Sequence, residues 1–272
     1  MGRVSKDLDY LYLTICKDLL HAPKVGNTRE LNNVKLVLKD INNNIVSVRG
    51  LSPSYLFGEL LWYFNGDNSL EFISNFSSFW NNISDDGETC NSAYGYLMQI
   101  KHGFNQIEKV IEILEADPNS RRAKININVP NPNVKETKDE PCTMSLHFMI
   151  RNGKLDCTAI MRSNDIWFGF PYDVAFFTEL QKFIAERLKV GYGEYTHFAV
   201  SLHMYDRDAE KIAKIVENPI SKPIEFDREK FRACFNLIFE LLPVFEEHGY
   251  DIKETTMALL YDMGIYKGEH NE

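Results

Sequence analysis

The chain has 272 residues, 44% of them hydrophobic and 25% charged, which suits a globular protein with a substantial core and excludes a disordered or fibrous one. A net charge of −9 disfavours a nucleic-acid backbone as partner, since that affinity draws on clustered Lys and Arg, but allows a small anion where arginines gather. No apolar run reaches the roughly 20 residues of a membrane span, MGRVSKDLDY is too polar for a secretory signal, and the five cysteines lack CxxC pairing, so we expect a cytoplasmic protein without membrane, disulfide framework or metal site.

Leu8, Leu11, Tyr12, Ile15, Cys16 and Leu19 recur at helical spacing and predict an amphipathic helix. Val34, Leu36 and Leu38 alternate as in a strand. Ser52 supplies a capping hydroxyl and Pro53 a first-turn proline ahead of YLFGELLWYF, and Gly66 follows its end, which bounds a second helix. Ile107, Val110, Ile111 and Leu114 mark another, stopped before Asp117-Pro118. The runs AKININV, TMSLHFMI and KLDCTAIM are short and β-branched or alternating, with Asn152-Gly153 joining the last two as a hairpin turn. A long helical pattern, YDVAFFTELQKFIAERLKV, precedes a further strand, YTHFAVSLHMY. From Asp227 onward FRACFNLIFELLPVFEEHG and KETTMALLYDMG read as helices. Without repeats or a Gly/Ser linker, the order predicts a single α/β domain over 1–272.

Cys142 sits in Pro141-Cys142-Thr143 at a strand start, behind the polar stretch NPNVKETKDE, where a thiol can open onto a cleft. Alone this is weak, because a cysteine in such a place is more often a small buried hydrophobe. Arg162-Ser163-Asn164-Asp165 offers a guanidinium, a hydroxyl, an amide and a carboxylate in four residues, although a solvated strand end uses the same types. Arg121-Arg122 form a second basic pair after Asp117-Pro118-Asn119-Ser120, and converging arginines suit bidentate phosphate binding. Glu59, between Phe57 and Leu60-Leu61-Trp62, is costly to bury without a partner or a task. Trp80, Tyr94 and His203 by themselves read equally as core aromatics and a hydrogen-bonded sheet histidine.

Six blocks occur in order: GELLWYFNG, SAYGY, DPNSRR, PCT, MRSNDIWFGFPYDVA and SLHMY. In these blocks, across about residues 25 to 210, the chain resembles the thymidylate synthases and their phage relatives, the deoxycytidylate hydroxymethylases. The resemblance implies a three-layer α/β fold with a large mixed sheet flanked by helices, and a homodimer with sheets back to back and shared active sites. Residues 220–272 form a helical part outside the clear resemblance. It also implies 5,10-methylenetetrahydrofolate as one-carbon donor, no metal, and a pyrimidine nucleoside monophosphate as substrate. Carried over, Cys142 matches the nucleophile, Arg162 and Ser163 phosphate ligands within a substrate-binding stretch that includes Asn164, and Arg121 and Arg122 the pair that reaches the partner subunit's nucleotide. Glu59 matches the glutamate that organises water and proton transfer, Tyr94 a tyrosine near the nucleophile, Trp80 and Asp165 folate-side groups, and His203 and Tyr205 the pair on the sugar hydroxyl. Arg29, in GNTREL, matches a phosphate-binding arginine whose surrounding loop differs here.

The departures concern the base. Asp173 in FGFPYDVA replaces the synthases' asparagine. An amide offers an acceptor and a donor to uracil's N3–H and O4, whereas Asp173 can accept from cytosine N4 while sharing a proton with N3. The alternative is a helix N-cap ahead of VAFFTELQ. The RSND block looks like the hydroxymethylases, and the C-terminal GIYKGEHNE lacks the apolar tail with which synthases exclude water. Thr143 and His147 stand where synthases carry histidine and glutamine. The resulting expectation is one-carbon transfer to C5 of dCMP, giving 5-hydroxymethyl-dCMP. A dCMP methylase, a thymidylate synthase acting on dUMP and a catalytically silent nucleotide-binding protein are the alternatives.

Overall fold

The computed structural model describes residues 2–129, 132 and 135–267; the end of GIYKGEHNE and part of NPNVKETKDE lie outside the described residues. In chain order the elements are β1 (Gly2–Ser5), α1 (Leu8–Leu20), β2 (Lys24–Val25), β3 (Thr28–Leu38), α2 (Pro53–Phe64), α3 (Leu70–Ser74), α4 (Phe79–Ile83), α5 (Tyr94–Gln99) and α6 (Gln106–Ala116). There follow β4 (Lys124–Asn126), β5 (Thr143–Arg151), β6 (Lys154–Asp165), α7 (Phe170–Arg187), β7 (Gly191–Tyr205), α8 (Ala209–Glu217), α9 (Arg228–Glu247) and α10 (Ile252–Asp262). The chain interleaves two units, the first formed by Met1–Leu51, Asn105–Pro130 and Cys142–Pro223, the second by Ser52–Phe104, Asn131–Pro141 and Ile224–Glu272.

The first unit is a mixed sheet with strand order β1-β3-β7-β6-β5-β4 and β2 paired to β3. Asn152 and Gly153 take φ of 52° and 71°, the left-handed pair that a two-residue hairpin needs, and they close β5 onto β6. β6 and β7 run parallel, which demands a crossover, and α7 supplies it. That helix is buried along most of its length. Gln181 Nε2 donates to the carbonyls of Leu155 (2.8 Å) and Glu194 (3.2 Å), tying the helix to both strands. Its buried Lys182 pairs with Glu179 at 2.9 Å, and Asn44 Nδ2 donates to Glu179 Oε1 at 2.8 Å, so neither charge is left unmatched in the interior. On the sheet, Ala159, Met161, Tyr195 and Ala199 are buried, whereas Thr158, Ile160, Thr196 and Phe198 stay half-exposed on the opposite face.

The second unit is helical. Ser52 caps α2 by accepting from the Tyr55 N–H, Pro53 opens it, and Gly66 beyond its end takes a φ of 69°. α2 then buries Leu56 through Phe64 against neighbours that include Phe226, Phe231 and Tyr266, whose rings pack around Phe57. Gly95 in α5 is required by packing: a Cβ there would overlap the Tyr63 carbonyl oxygen of α2.

Candidate functional site

In the first unit, Cys142 immediately precedes β5 and is half-buried. Burial pushes the thiols of Cys16, Cys90 and Cys157 up, which makes their thiolates inaccessible at neutral pH. Cys142 is held by backbone: its carbonyl accepts from the Arg162 N–H at 2.9 Å, which sets the thiol-bearing residue, just ahead of β5, beside Arg162 of β6. Thr143 is fully buried, donating its hydroxyl to Met161 Sδ (3.2 Å), and His147 Nε2 meets Ser145 Oγ at 3.0 Å. A bulge between Thr143 and Ser145 leaves Met144 as the extra residue.

The ends of β6 and β7 bring together Ser163, Asp165, His203 and Tyr205. Asp165 lies opposite His203 in the parallel ladder, and Ser163 Oγ meets His203 Nδ1 at 3.3 Å. Burial pushes the Asp165 carboxyl up, opposed by the Trp167 N–H and by His203; burial pushes His203 down, opposed by the carboxylates of Asp165 and Glu30. Arg29 lies in β3 opposite Met204, one residue from the strand position facing Tyr205, and its guanidinium donates to the Ala22 carbonyl at 3.3 Å. Arg121 and Arg122 are exposed beside α6, lining a depression of about 510 Å³ with Asp117, Asn119 and Ser120. Neither has an ion-pair partner among the described residues, and no residue of the Cys142 group lines that depression.

Asp173 is not a helix cap. Helix α7 begins three residues earlier, Gly169 occupies the cap, and the Asp173 carboxylate accepts from Asn164 Nδ2 at 2.7 Å. Enclosure pushes the Asp173 carboxyl up to about 7, against the lowering effect of the Asn164 hydrogen bond, with Asp165 adding a further upward push. The residue nevertheless keeps an accessible face, the combination expected at the floor of a concavity. Asn164, read from the sequence as substrate-binding, is itself buried and accepts on Oδ1 from His197 Nε2 (3.0 Å), and His197 Nδ1 meets the Tyr195 hydroxyl at 2.9 Å. Sequence reasoning missed Tyr195 and His197. The signal was present: period-two alternation in YTHFAV places both on the inward face with Ala199, where an imidazole needs partners.

In the second unit Glu59 lies within an aromatic cage built by helical spacing. Tyr55 and Tyr63, four residues before and after it, both donate to its Oε1, at 2.8 and 3.4 Å. Trp80 Nε1 donates to the Tyr55 hydroxyl at 3.3 Å, and Tyr94 stacks on Tyr63 with ring centroids 5.3 Å apart. Glu59, Trp80 and Tyr94 thus form one connected group.

The family model described as thymidylate synthase matches residues 12–256. The chain belongs to the thymidylate synthase family. Among its relatives, the deoxyuridylate hydroxymethyltransferase of Bacillus phage SP01 is 28% identical over 275 residues, covering 95% of this chain and 71% of that one. That of Pseudomonas phage M6 is 28% identical over 179 residues, 64% of this chain and 51% of the relative. A Methanocaldococcus jannaschii protein provisionally named a thymidylate synthase is 43% identical over 116 residues, 41% of this chain and 52% of its own length. The matched parts thus span about half of the latter two relatives.

The thymidylate synthase family uses methylenetetrahydrofolate, and the side chains here suit such a group. Asp165 Oδ1 accepts the Trp167 N–H at 2.9 Å, and no other hydrogen bond is formed to the carboxyl among the described residues, which leaves Oδ2 for an N–H-bearing heterocycle. Among the described residues no cluster of three His, Cys, Asp or Glu side chains could hold a metal ion, and no helix is long and apolar enough to cross a membrane.

Proposed function

We propose that the protein transfers a one-carbon unit to C5 of dCMP and releases 5-hydroxymethyl-dCMP. The observation that carries this reading is Asp173: an acid poised near neutrality, held by Asn164 instead of capping its helix. Cys142 Sγ attacks C6 of the pyrimidine, the displaced electron pair runs toward C5 and N3, and the Asp173 proton at N3 compensates the developing charge. C5 is thereby made nucleophilic. Methylenetetrahydrofolate would supply the carbon at the oxidation level of formaldehyde, so no reductant is needed: C5 gives up its proton, water adds to the C5 methylene to give the hydroxymethyl group, and Cys142 Sγ leaves C6 as the aromatic base is restored. Arg162, Ser163 and Arg29 bind the nucleotide phosphate, His203 and Tyr205 the sugar, and Trp80 and Asp165 the folate. Glu59, clamped by two tyrosine hydroxyls, orders water and relays protons near the base. Tyr94, stacked on Tyr63, acts beside the nucleophile. The names of the two phage relatives support hydroxymethyl as the product.

The active form is a homodimer with sheets packed back to back, acting in the cytoplasm of a phage-infected cell. The half-exposed sheet face with Ile160 and Phe198, and the exposed guanidiniums of Arg121 and Arg122, which form no ion pair among the described residues, support this assembly. A second reading, dUMP as substrate, is favoured by the same relatives' names. Incubation with each nucleotide and methylenetetrahydrofolate, followed by mass spectrometry, separates the readings. The expected product is 5-hydroxymethyl-dCMP; product from dUMP alone overturns the base assignment. A silent nucleotide-binding protein would give no product, and its Cys142 would show no selective alkylation blocked by nucleotide.

A further inference from the structure

The chain of hydrogen bonds behind Asp173 has a fixed direction, and that direction originates at its most buried member. Tyr195 is 1% exposed, and His197 Nδ1, 2.9 Å away, is the hydroxyl's only partner among the described residues. Burial keeps the phenol protonated, so the O–H must donate to Nδ1 or stand unmatched in the core. His197 is also buried, and desolvation pushes it down to about 3, leaving a neutral ring with one N–H. With Nδ1 accepting, that N–H is on Nε2 and donates to Asn164 Oδ1 at 3.0 Å. The amide is therefore turned with Nδ2 toward Asp173 Oδ2, 2.7 Å away. Rotating it would set Nδ2–H against Nε2–H. Reversing the whole chain to avoid this would strand the Tyr195 proton.

We infer that Tyr195 and His197 are positioning residues which, through Asn164, dictate that Asp173 Oδ2 accepts and Oδ1 carries the proton, and so set the enzyme's choice of base. The inference rests on the proposed role of Asp173 in reading the base. Oδ2 retains a second lone pair, so the acid presents an O–H donor beside an acceptor, the complement of cytosine N3 and N4–H. Uracil meets the same edge wrongly at both points, N3–H against O–H and O4 against a lone pair. The backbone makes room for this arrangement: a Cβ at Gly169 would lie 2.8 Å from Asn164 Nδ2 and 3.4 Å from Asp173 Oδ2.

Tyr195→Phe removes the direction-setting hydroxyl and keeps the ring. In full-length protein labelled with ¹⁵N-histidine, His197 should show the Nε2–H tautomer in the parent and both tautomers in the variant. The ratio of kcat/KM for dCMP over dUMP, measured as tritium release from C5, should fall by about threefold to tenfold, the worth of one hydrogen bond. Gly169→Ala, which crowds the Asn164–Asp173 pair directly, should lower the same ratio and provides the test if Tyr195→Phe folds poorly. If Asp173→Asn collapses the ratio while Tyr195→Phe and Gly169→Ala leave it intact, the relay has no part in specificity and the inference fails alone. If Asp173→Asn itself leaves the ratio unchanged, the base-reading role fails and takes the link to specificity with it. A parent His197 in the Nδ1–H tautomer overturns the relay regardless of any kinetics.

Discussion

Replacing Asp173 by asparagine should stabilise the folded protein, and the gain should grow with pH. The Asp173 carboxyl titrates at about 7 in the folded chain against an ordinary 3.8, chiefly because burial disfavours its charge. Between those values the folded state binds a proton that the unfolded state has released. Stability therefore falls as pH rises through that window, by up to about 1.4 kcal/mol per unit, and the loss is complete above the folded value. The window corresponds to about 4 kcal/mol; since Asp173 keeps an accessible face that solvent screens, about 2–4 kcal/mol is the expected range. Asparagine carries no charge to desolvate, and its carbonyl can still accept from Asn164 Nδ2. Urea unfolding of both proteins from about pH 4.5 to 8.5 reads the difference between them, in which the titrations common to both cancel. A stability difference that stays constant across that range would refute the claim that Asp173 is held against the cost of its own charge.

Cys142→Ser should keep nucleotide affinity by calorimetry and lose turnover by on the order of a thousandfold or more, since an alkoxide forms far less readily than a thiolate; near-normal turnover would sink the covalent mechanism. Mixing Arg121→Ala with Cys142→Ser subunits should restore activity, because the mixed dimer holds one site free of both lesions; no recovery between demonstrably exchanging subunits argues against shared sites. Gly95→Ala should cost about 3 kcal/mol or more by thermal or urea unfolding, because its Cβ would meet backbone that cannot swing aside.

Legibility followed the range of the forces involved. Helix α2 was readable because cap, proline and terminal glycine are local devices, and the β5–β6 hairpin because Asn152-Gly153 encodes its own turn. The four-residue strand β1 exists through its parallel pairing with β3, some thirty positions on, and the short helix α5 depends on packing that Gly95 allows against α2. Neither leaves a periodic trace. Helix α7 begins earlier than the apolar pattern suggested, which removes the alternative of a capping aspartate at 173 and leaves a group held from the side by Asn164. At the site, Cys142 and the RSND residues were visible as blocks, but the relay joins positions 164, 173, 195 and 197 across three elements. Only folding reveals that the amide of Asn164 is committed to its neighbours.

The clamp on Cys142 also bears on how such a chain can diverge. The residue's carbonyl is tied to Arg162, and the extra residue of the strand, Met144, is absorbed directly after it. Position 142 is thus anchored from its C-terminal side, by β5 lying on β6. On the other side residues 138 and 139 are tied as well: Asp85 accepts from the Lys138 N–H at 2.9 Å, and the buried Asp139 from the Ser92 N–H at 2.9 Å. Loss of Met144 would only let the ladder run on unbroken, with Thr143 still opposite Met161 on the buried face and Ser145 opposite Ile160. Length variation over descent is therefore absorbed on the strand side of the nucleophile, at the bulge, and resisted on the side of Asp139.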